Sequence, residues 1–355
     1  MRHRRQPSEL ETHNKMKELR FGIIGTGFWA RYQLAAWREI PGARCIALCN
    51  RTRAKADALA GEFDVPAVYE DAEELLQREK PDFVDIITDV DTHSRFVQLA
   101  SAYKTPVICQ KPLAPSIAEA EKMIAICDAE NVPLSVHENW RWQTPVRELK
   151  KVLDSALIGP VFRARIDYCN SFPVFNNQPF LKTLEEFILA DMGSHIFDVA
   201  RFLFGEAERL YCQTHQITPG IMGEDAASVM LRMRSGATVT VNLSYASRVE
   251  HDRFPETFIH IEGARGAVEL APDCWLRMTT ERGTETRHCP PPRYAWADPR
   301  YALVHSSIVE CHRDLLQGLQ TNTSPETSAT DNLKTLKLVQ AAYDSARGNR
   351  AVDIL

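Results

Sequence analysis

The sequence has little that indicates export, membrane insertion or binding to a polyanion. Its nine cysteines are odd in number and form no C-x-x-C pair, so free thiols in a cytoplasmic protein are expected. No apolar run approaches the length of a membrane span. The net charge of −5 gives no reason to expect a nucleic-acid partner. The basic cluster RHRR lies in a polar leader without an apolar segment, which predicts a flexible tail over residues 1–17 with no export function.

Repeats and low-complexity segments are also missing, and the composition is that of a soluble globular protein. A chain of 355 residues is too long for one small core, which favours two domains. We place a first domain at residues 18–139 and a second at residues 140–355, where the character of the predicted elements changes.

The first domain alternates strands with helices. Buried strands are predicted at ELRFGIIG, RCIALCN, PDFVDIITD, TPVICQKP and VPLSVHE, with helical patterns between them. Ser116 and Glu119 form a capping box at the start of one of these helices. This alternation implies right-handed crossovers and a doubly wound parallel sheet.

The second domain has a different pattern. Three stretches, GPVFRARIDYCN, AASVMLRMRSGATVTVNLSYAS and TFIHIEGARGAVELA, alternate with period two and turn at Ser235-Gly236 and around Gly263 to Gly266. Two amphipathic helices follow, at YALVHSSIVECHRDLLQGLQ and TDNLKTLKLVQAAYDSARG. An α/β domain with antiparallel hairpins is therefore expected.

A glycine-rich loop follows the first predicted strand and opens the first helix. It reads G-x-G-x-x-A, and its candidate cofactor contacts are Gly25, Thr26, Gly27, Phe28 and Trp29. Gly25 permits a tight turn, Gly27 lets the backbone approach a pyrophosphate, and Ala30 allows the helix to pack closely on the strand. Because strand, loop and helix occur in the right order, nucleotide binding is favoured over a plain turn.

The end of the second strand bears on the choice of cofactor. A carboxylate there would bind the ribose 2′-hydroxyl of NAD, whereas an arginine can neutralise the 2′-phosphate of NADP. The chain has Asn50 and Arg51, with Arg53 nearby, and no carboxylate. The pattern favours NADP, but Asn50 can still bind a ribose hydroxyl, so NAD stays open. Both arginines could instead be solvated residues at a helix start.

Other strand ends at the same edge of the sheet carry further candidates. Lys111 follows the strand TPVICQKP and points towards the crevice in which doubly wound sheets bind ligands. Thr88, His93 and Gln110 are further candidates for contact with the cofactor. Lys111 itself is a candidate for contact with cofactor and substrate and for catalysis.

The stretch LADMGSHIFDVARFLFGE places three titratable residues in an otherwise apolar helix. Asp191, His195 and Asp198 are spaced i, i+4 and i+7, so a helix puts them on one face. Burying three polar groups is costly without partners or a purpose. They form either a catalytic group or a satisfied buried hydrogen-bond network. A metal site is disfavoured because Asp-x-x-x-His supplies only two ligands.

Two further stretches supply candidates for substrate contact. HENWRWQ at the domain junction offers Arg141, Trp142 and Gln143, which could equally be interdomain packing. SFPVFNNQPFLK offers four hydroxyl-binding side chains: Asn176, Asn177, Gln178 and Lys182.

The sequence resembles the glucose-fructose oxidoreductase, inositol dehydrogenase and MocA (Gfo/Idh/MocA) family from about Arg20 to Val352. Four features carry the resemblance: the G-x-G-x-x-A loop, the K-P-L-A strand end, the Asp-x-Gly-x-His helix and the closing AAYDSARGNRAV. The resemblance implies a Rossmann domain followed by an α/β domain with an open, mostly antiparallel sheet. That sheet often makes oligomer contacts, so a homodimer or homotetramer is expected. It also implies NAD(P)-dependent oxidation or reduction of a sugar, polyol or related small carbonyl.

The family's lysine falls on Lys111, and its aspartate and histidine fall on Asp191 and His195. One departure is Gln110, where the family usually has glutamate, and this removes a negative charge beside Lys111. In the resulting mechanism His195 is the base, Asp191 orients it, and Lys111 stabilises the developing alkoxide. Two alternatives stay open on this scaffold: a glycoside hydrolase that retains NAD, and a non-catalytic sensor, against which the three retained residues argue.

Overall fold

The structure is a computed structural model, and it describes residues 18–354. The tail predicted over residues 1–17 lies outside the described residues. Within the described range, no helix is both long and apolar enough to cross a membrane.

The first sheet has six parallel strands in the order β3-β2-β1-β4-β5-β6. The strands are β1 (Leu19–Ile24), β2 (Ala43–Cys49), β3 (Ala67–Tyr69), β4 (Phe83–Ile86), β5 (Val107–Gln110) and β6 (Leu134–His137). The sequence pattern missed β3, because this strand has only three residues, all half-buried, and shows no apolar run. The strand order reverses between β1 and β4, which is where sheets of this type bind ligands.

Five helices cover the two faces of this sheet: α1 (Phe28–Arg38), α2 (Arg53–Phe63), α3 (Ala72–Glu79), α4 (His93–Ala102) and α5 (Ile117–Ala129). The capping box that the sequence predicts at Ser116 is present in part, since its side chain accepts the Glu119 N–H and begins α5. Apolar side chains on both faces of the strands are buried, as expected for a sheet covered by helices on each side.

The second sheet has nine strands in the order β14-β13-β12-β11-β7-β10-β9-β8-β15. Its strands are β7 (Val161–Cys169), β8 (Ala207–His215), β9 (Ala226–Met233), β10 (Thr238–Ser244), β11 (Phe258–Gly263), β12 (Gly266–Ala271), β13 (Trp275–Thr280), β14 (Gly283–His288) and β15 (Val352–Asp353). Every neighbouring pair is antiparallel except β7 and β10, which are parallel. The predicted Rossmann sheet and open, mostly antiparallel second sheet are confirmed.

The remaining helices are α6 (Thr144–Asp154), α7 (Val174–Asn177), α8 (Ser194–Phe204), α9 (Ala302–Thr321) and α10 (Ala329–Gly348). One face of the second sheet packs on α8 and α10, whereas side chains on its other face, such as Arg163 and Met230, are exposed. Helix α9 packs on α1, and its Ile308 and Leu315 belong to the core of the first sheet. Helix α9 therefore joins the second half of the chain to the first sheet.

Candidate active site

The glycine-rich loop makes a tight turn at the end of β1. Gly25 has φ +102°, and a Cβ there would lie 2.4 Å from the Ile87 carbonyl oxygen, so both conformation and packing require glycine. A Cβ on Gly27 would point into open space, and α1 begins there without a side-chain cap. The free N–H groups of this helix start suit a phosphate. Ala30 is fully buried, as close packing of helix and strand requires.

The residues after β2 tie this edge of the sheet to the loop. Asn50 Oδ1 accepts the Thr26 N–H at 3.3 Å, and Asn50 Nδ2 donates to the Thr52 carbonyl at 3.0 Å. Arg51 is exposed, while Arg53 lies 3.5 Å from Asp57 one helical turn away. Arg51 is therefore the arginine free to meet a 2′-phosphate. Phe28 and Trp29 are exposed at the start of α1.

The predicted contact of His93 with the cofactor stays a prediction, and the structure shows what holds its ring. Its ring is buried, with Nε2 3.0 Å from the Thr88 carbonyl and Nδ1 3.1 Å from the Pro112 carbonyl. Burial lowers the pKa of His93, so the ring is neutral and donates from one nitrogen only, and the residue ties the loop after β4 to the loop after β5. Thr88 lies beside the glycine-rich loop, with its Cγ2 2.8 Å from the position of a Cβ on Gly25.

Lys111 stands at the end of β5 and reaches across to the second domain. Its Nζ donates to Oδ1 and to the backbone carbonyl of Asp191, both at 3.1 Å, and both side chains stay partly accessible. Gln110 turns its Oε1 back to accept the Lys111 N–H at 2.8 Å. The charge partner of the Lys111 ammonium is therefore the carboxylate of Asp191, and Gln110 contributes only a hydrogen bond to the backbone.

Asp191 lies in a π-helical turn, Leu189–Gly193, that precedes α8. Such turns are rare, and those that occur are frequently at functional sites. In this turn the Asp191 carbonyl accepts hydrogen bonds from Lys111 Nζ and from Ser194 Oγ. The sequence predicts a continuous α-helix in this stretch, so the π turn is a correction.

Glu224 and Tyr343 hold the start of this turn. The Glu224 carboxylate accepts the N–H groups of Phe187 and Leu189, the latter at 3.1 Å. Tyr343 donates its hydroxyl to Glu224 at 2.8 Å and accepts the Ala190 N–H at 3.1 Å. A buried carboxylate and phenol thus satisfy the backbone donors of the turn that carries Asp191.

His195 does not take Asp191 as its partner, which corrects the expectation that Asp191 orients it. Its Nδ1 lies 2.7 Å from Glu138 Oε1, and the ring stacks on Trp140 with centroids 4.9 Å apart. Burial and the Lys111 ammonium lower the pKa of His195 well below its ordinary value, so the imidazole is neutral at neutral pH. A neutral imidazole with its Nδ1 bonded to a carboxylate presents Nε2 as a base.

Asp198 and Arg141 form a buried ion pair. Arg141 donates to both carboxylate oxygens of Asp198, at 2.6 Å and 2.8 Å, and it also contacts Asp331 at 3.0 Å and the Glu326 carbonyl at 3.1 Å. Both side chains are almost fully buried. The Arg141 guanidinium is therefore engaged by Asp198, Asp331 and the Glu326 carbonyl, and its predicted contact with substrate stays a prediction. Asp198 therefore belongs to a buried hydrogen-bond network, which is the alternative to a catalytic role that its helical spacing allowed.

The other predicted substrate contacts are Trp142 and Gln143 after β6 and the polar side chains in and after α7. Trp142 is buried in the core of the first sheet with the Arg147 guanidinium 4.3 Å from its ring, and Gln143 is buried beside it. Trp142 is therefore interdomain packing. Asn176 is exposed and Gln178 half-buried in and after α7, and Lys182 is exposed. Within the described residues, none of these three side chains is hydrogen-bonded to Lys111, Asp191 or His195, and the side chain of Asn177 lies outside what the structure describes.

Sequence reasoning missed Glu138, Glu224 and Tyr343. A signal for Glu138 was present, because it directly follows β6 at the same edge of the sheet as Lys111. No comparable signal marks Glu224 or Tyr343, which reach the site from segments distant in sequence.

A Rossmann sheet whose first helix begins without a side-chain cap, a lysine at a strand end and a buried neutral histidine are the combination expected of a nicotinamide-dependent oxidoreductase. The chain matches the family described as "Oxidoreductase family, NAD-binding Rossmann fold" over residues 19–138 and the "GFO/IDH/MocA C-terminal domain" over residues 146–269. It belongs to the Gfo/Idh/MocA family of oxidoreductases. This confirms the resemblance and the prediction of an NAD(P)-dependent dehydrogenase acting on CH–OH groups.

Several relatives match nearly the whole chain. A D-apiose dehydrogenase of Paraburkholderia graminis is 40% identical over 97% of this chain and 92% of its own. A second D-apiose dehydrogenase, of Rhizobium rhizogenes, is 39% identical over 96% of this chain and 98% of its own. A crystal structure of an Agrobacterium radiobacter oxidoreductase in complex with NAD⁺, L-tartaric acid and magnesium has a TM-score of 0.93 and 38% identity, covering 95% of this chain and 99% of its own.

Proposed function

We propose that the protein oxidises a sugar, a polyol or a related small secondary alcohol, or reduces the corresponding carbonyl, with a nicotinamide dinucleotide as hydride carrier. The observation that carries this proposal is the pairing of Lys111 with Asp191 beside a neutral His195 at the carboxyl ends of the Rossmann strands. This edge also holds the phosphate-binding loop, so substrate and cofactor would meet there.

Each residue has a role that follows from its contacts. The bound nicotinamide supplies a hydride acceptor. His195 Nε2, which makes no hydrogen bond within the described residues, takes the hydroxyl proton of the substrate. The Lys111 ammonium donates a hydrogen bond to the substrate oxygen and stabilises its developing negative charge, while Asp191 holds the ammonium in place.

The substrate class is supported by the relatives. Two dehydrogenases named for D-apiose are about as similar to this chain as the structure solved with NAD⁺, which makes D-apiose the first sugar to test. A free sugar is small and uncharged, and hydrogen-bonding side chains in this crevice suit its hydroxyls.

For the cofactor we propose a preference for NADP, with NAD as the alternative. The absence of a carboxylate in Cys49 to Arg53 and the exposed Arg51 support this preference. A cytoplasmic location, supported by the nine free cysteines, and a homo-oligomer formed through the exposed face of the second sheet complete the proposal.

The test is a fluorescence titration with NADH and NADPH, followed by a screen of sugars and polyols that starts with D-apiose. We expect stoichiometric formation of reduced cofactor with the correct sugar. Glycoside cleavage without net turnover of added NAD would indicate the cofactor-retaining hydrolase. Cofactor binding without turnover of any substrate would indicate the sensor.

A further inference from the structure

The environment of His195 is built around one carboxylate. Glu138 Oε1 lies 2.7 Å from His195 Nδ1 and also accepts the Trp140 N–H at 3.1 Å. The indole of Trp140 stacks on the imidazole with an interplanar angle of 21°. The carboxylate and the indole together fix the ring so that only Nε2 is left for a ligand.

Glu138 is itself fully buried, and its second oxygen, Oε2, has no hydrogen-bond partner within the described residues. Burying a carboxylate with a free oxygen is costly while the group is ionised, and the cost falls when it is protonated. The charged or titratable groups that act on this pair come from five neighbouring segments: Lys111, His137, Arg141, Asp191, Asp198 and Cys311.

We propose that Glu138 is the positioning residue of the base: its carboxylate keeps the proton of His195 on Nδ1, leaves the lone pair on Nε2, and takes up the Nδ1 proton when the substrate proton arrives. The alcohol O–H bond breaks and an N–H bond forms at Nε2, while the Nδ1–H bond breaks and an O–H bond forms on Glu138. The hydride from carbon goes to the nicotinamide, so the alcohol loses two electrons and two hydrogens. This inference rests on the proposed function.

The buried setting supports this exchange. Burial raises the pKa of Glu138 to about 7, although the Trp140 N–H, Lys111 and Arg141 all act to lower it. Burial and Lys111 lower the pKa of His195. Because the two groups lie 2.7 Å apart in a buried setting, a neutral acid beside a neutral imidazole costs less than two charges in this interior.

The first test needs no substrate. Nuclear magnetic resonance of protein labelled with ¹⁵N at histidine, with the His195 signal assigned by its loss in His195→Gln, reports the tautomer directly. We expect the Nδ1–H tautomer in the parent above pH 7. In Glu138→Gln, the His195 pKa should shift to lower pH, because the anion that stabilises the imidazolium is gone. An Nε2–H tautomer in the parent would overturn the proposal.

The second test uses the pH dependence of kcat/KM with the substrate found by the screen. Glu138→Gln should lower kcat by about 10²-fold with little change in KM. The acidic limb of the profile of kcat/KM against pH should move to lower pH. Glu138→Asp keeps the charge and should keep the limb near its parental position. Glu310→Gln, a control glutamate that pairs with Arg313 at 2.7 Å, should leave the limb unchanged.

A double-mutant cycle decides between a role through His195 and a general loss of structure. If Glu138 acts through His195, Glu138→Gln should cost little further activity in a His195→Ala background. Full additivity, or an unmoved limb in Glu138→Gln, would overturn the proposal. If no substrate is found, the proposed function fails, but the tautomer measurement still decides the role of Glu138.

Discussion

Lys111 Nζ lies 3.1 Å from Asp191 Oδ1 and an equal distance from the backbone carbonyl of the same residue. The ammonium is therefore held at two points by a single residue, which lies in the π turn of the other domain. The ammonium donates two N–H groups to Asp191 and keeps the third for the substrate oxygen. A planar guanidinium cannot place its N–H groups in the same three directions.

Replacing Lys111 should therefore affect the transition state more than the ground state. Lys111→Met should depress kcat more than it raises KM, and Lys111→Arg should also be impaired. Steady-state kinetics of both variants check this, with Lys104→Met as control, since Lys104 is an exposed lysine paired with Glu130. A raised KM at constant kcat would show that Lys111 only anchors substrate.

Loss of the base should be separable from loss of cofactor binding. His195→Ala should lower kcat by about 10²- to 10⁴-fold, because general base catalysis is worth that much. Affinity for the nicotinamide cofactor, measured by fluorescence, should stay nearly unchanged. The exposed residue His251 provides the control variant, His251→Ala. Parental turnover in His195→Ala would make the Glu138–His195 pair structural.

The exposed arginine after β2 should set the cofactor preference. We expect tighter binding of NADPH than of NADH, and Arg51→Ala should reduce that difference. Arg53→Ala should reduce it less, because Arg53 is engaged by Asp57. Both titrations are made at one ionic strength, since the contact is electrostatic. Equal affinities in the parent would contradict the prediction.

The hydroxyl of Tyr343 should contribute to stability and to activity separately from the packing of its ring. Tyr343→Phe removes the donor to Glu224 and the acceptor for the Ala190 N–H, which should cost about 1–3 kcal/mol of unfolding free energy. It should also lower kcat, because the turn carrying Asp191 loses a support. Denaturant unfolding and kinetics check both, with Tyr211→Phe as control for an exposed tyrosine bonded to Asn349. Parental stability and kcat in Tyr343→Phe would contradict the prediction.

The features that depend on local sequence pattern were predictable from the sequence. Alternating apolar runs gave both sheets, and the glycine spacing gave the phosphate-binding loop with its positive φ at Gly25. Spacing along a helix put Asp191 and Asp198 beside His195, but it could not assign partners, because each partner comes from a different element. Glu138 and Arg141 are three residues apart, yet one serves His195 and the other neutralises Asp198. Only the tertiary fold separates these roles.

The ion-pair network behind the site should also make stability depend on pH. Arg201 donates to both carboxylate oxygens of Glu206 at 3.0 Å, and Lys334 adds a contact at 3.2 Å. These bonds lower the pKa of Glu206 from its ordinary value of 4.5 to about 2. A carboxyl group with a depressed folded-state pKa stabilises the fold above its unfolded-state pKa, and it loses that contribution as the pH falls through the folded value.

Glu206→Gln should therefore lower the Tm at pH 7 by a few degrees, and its difference from the parent should shrink as the pH falls from 4.5 towards 2. Thermal unfolding over this range measures the difference directly. Glu208→Gln is the matched control, since this exposed glutamate makes a single contact with Arg232 at 3.5 Å and should change Tm little. A difference between Glu206→Gln and the parent that stayed constant at every pH would mean that packing, and not the charge of Glu206, stabilises this end of α8.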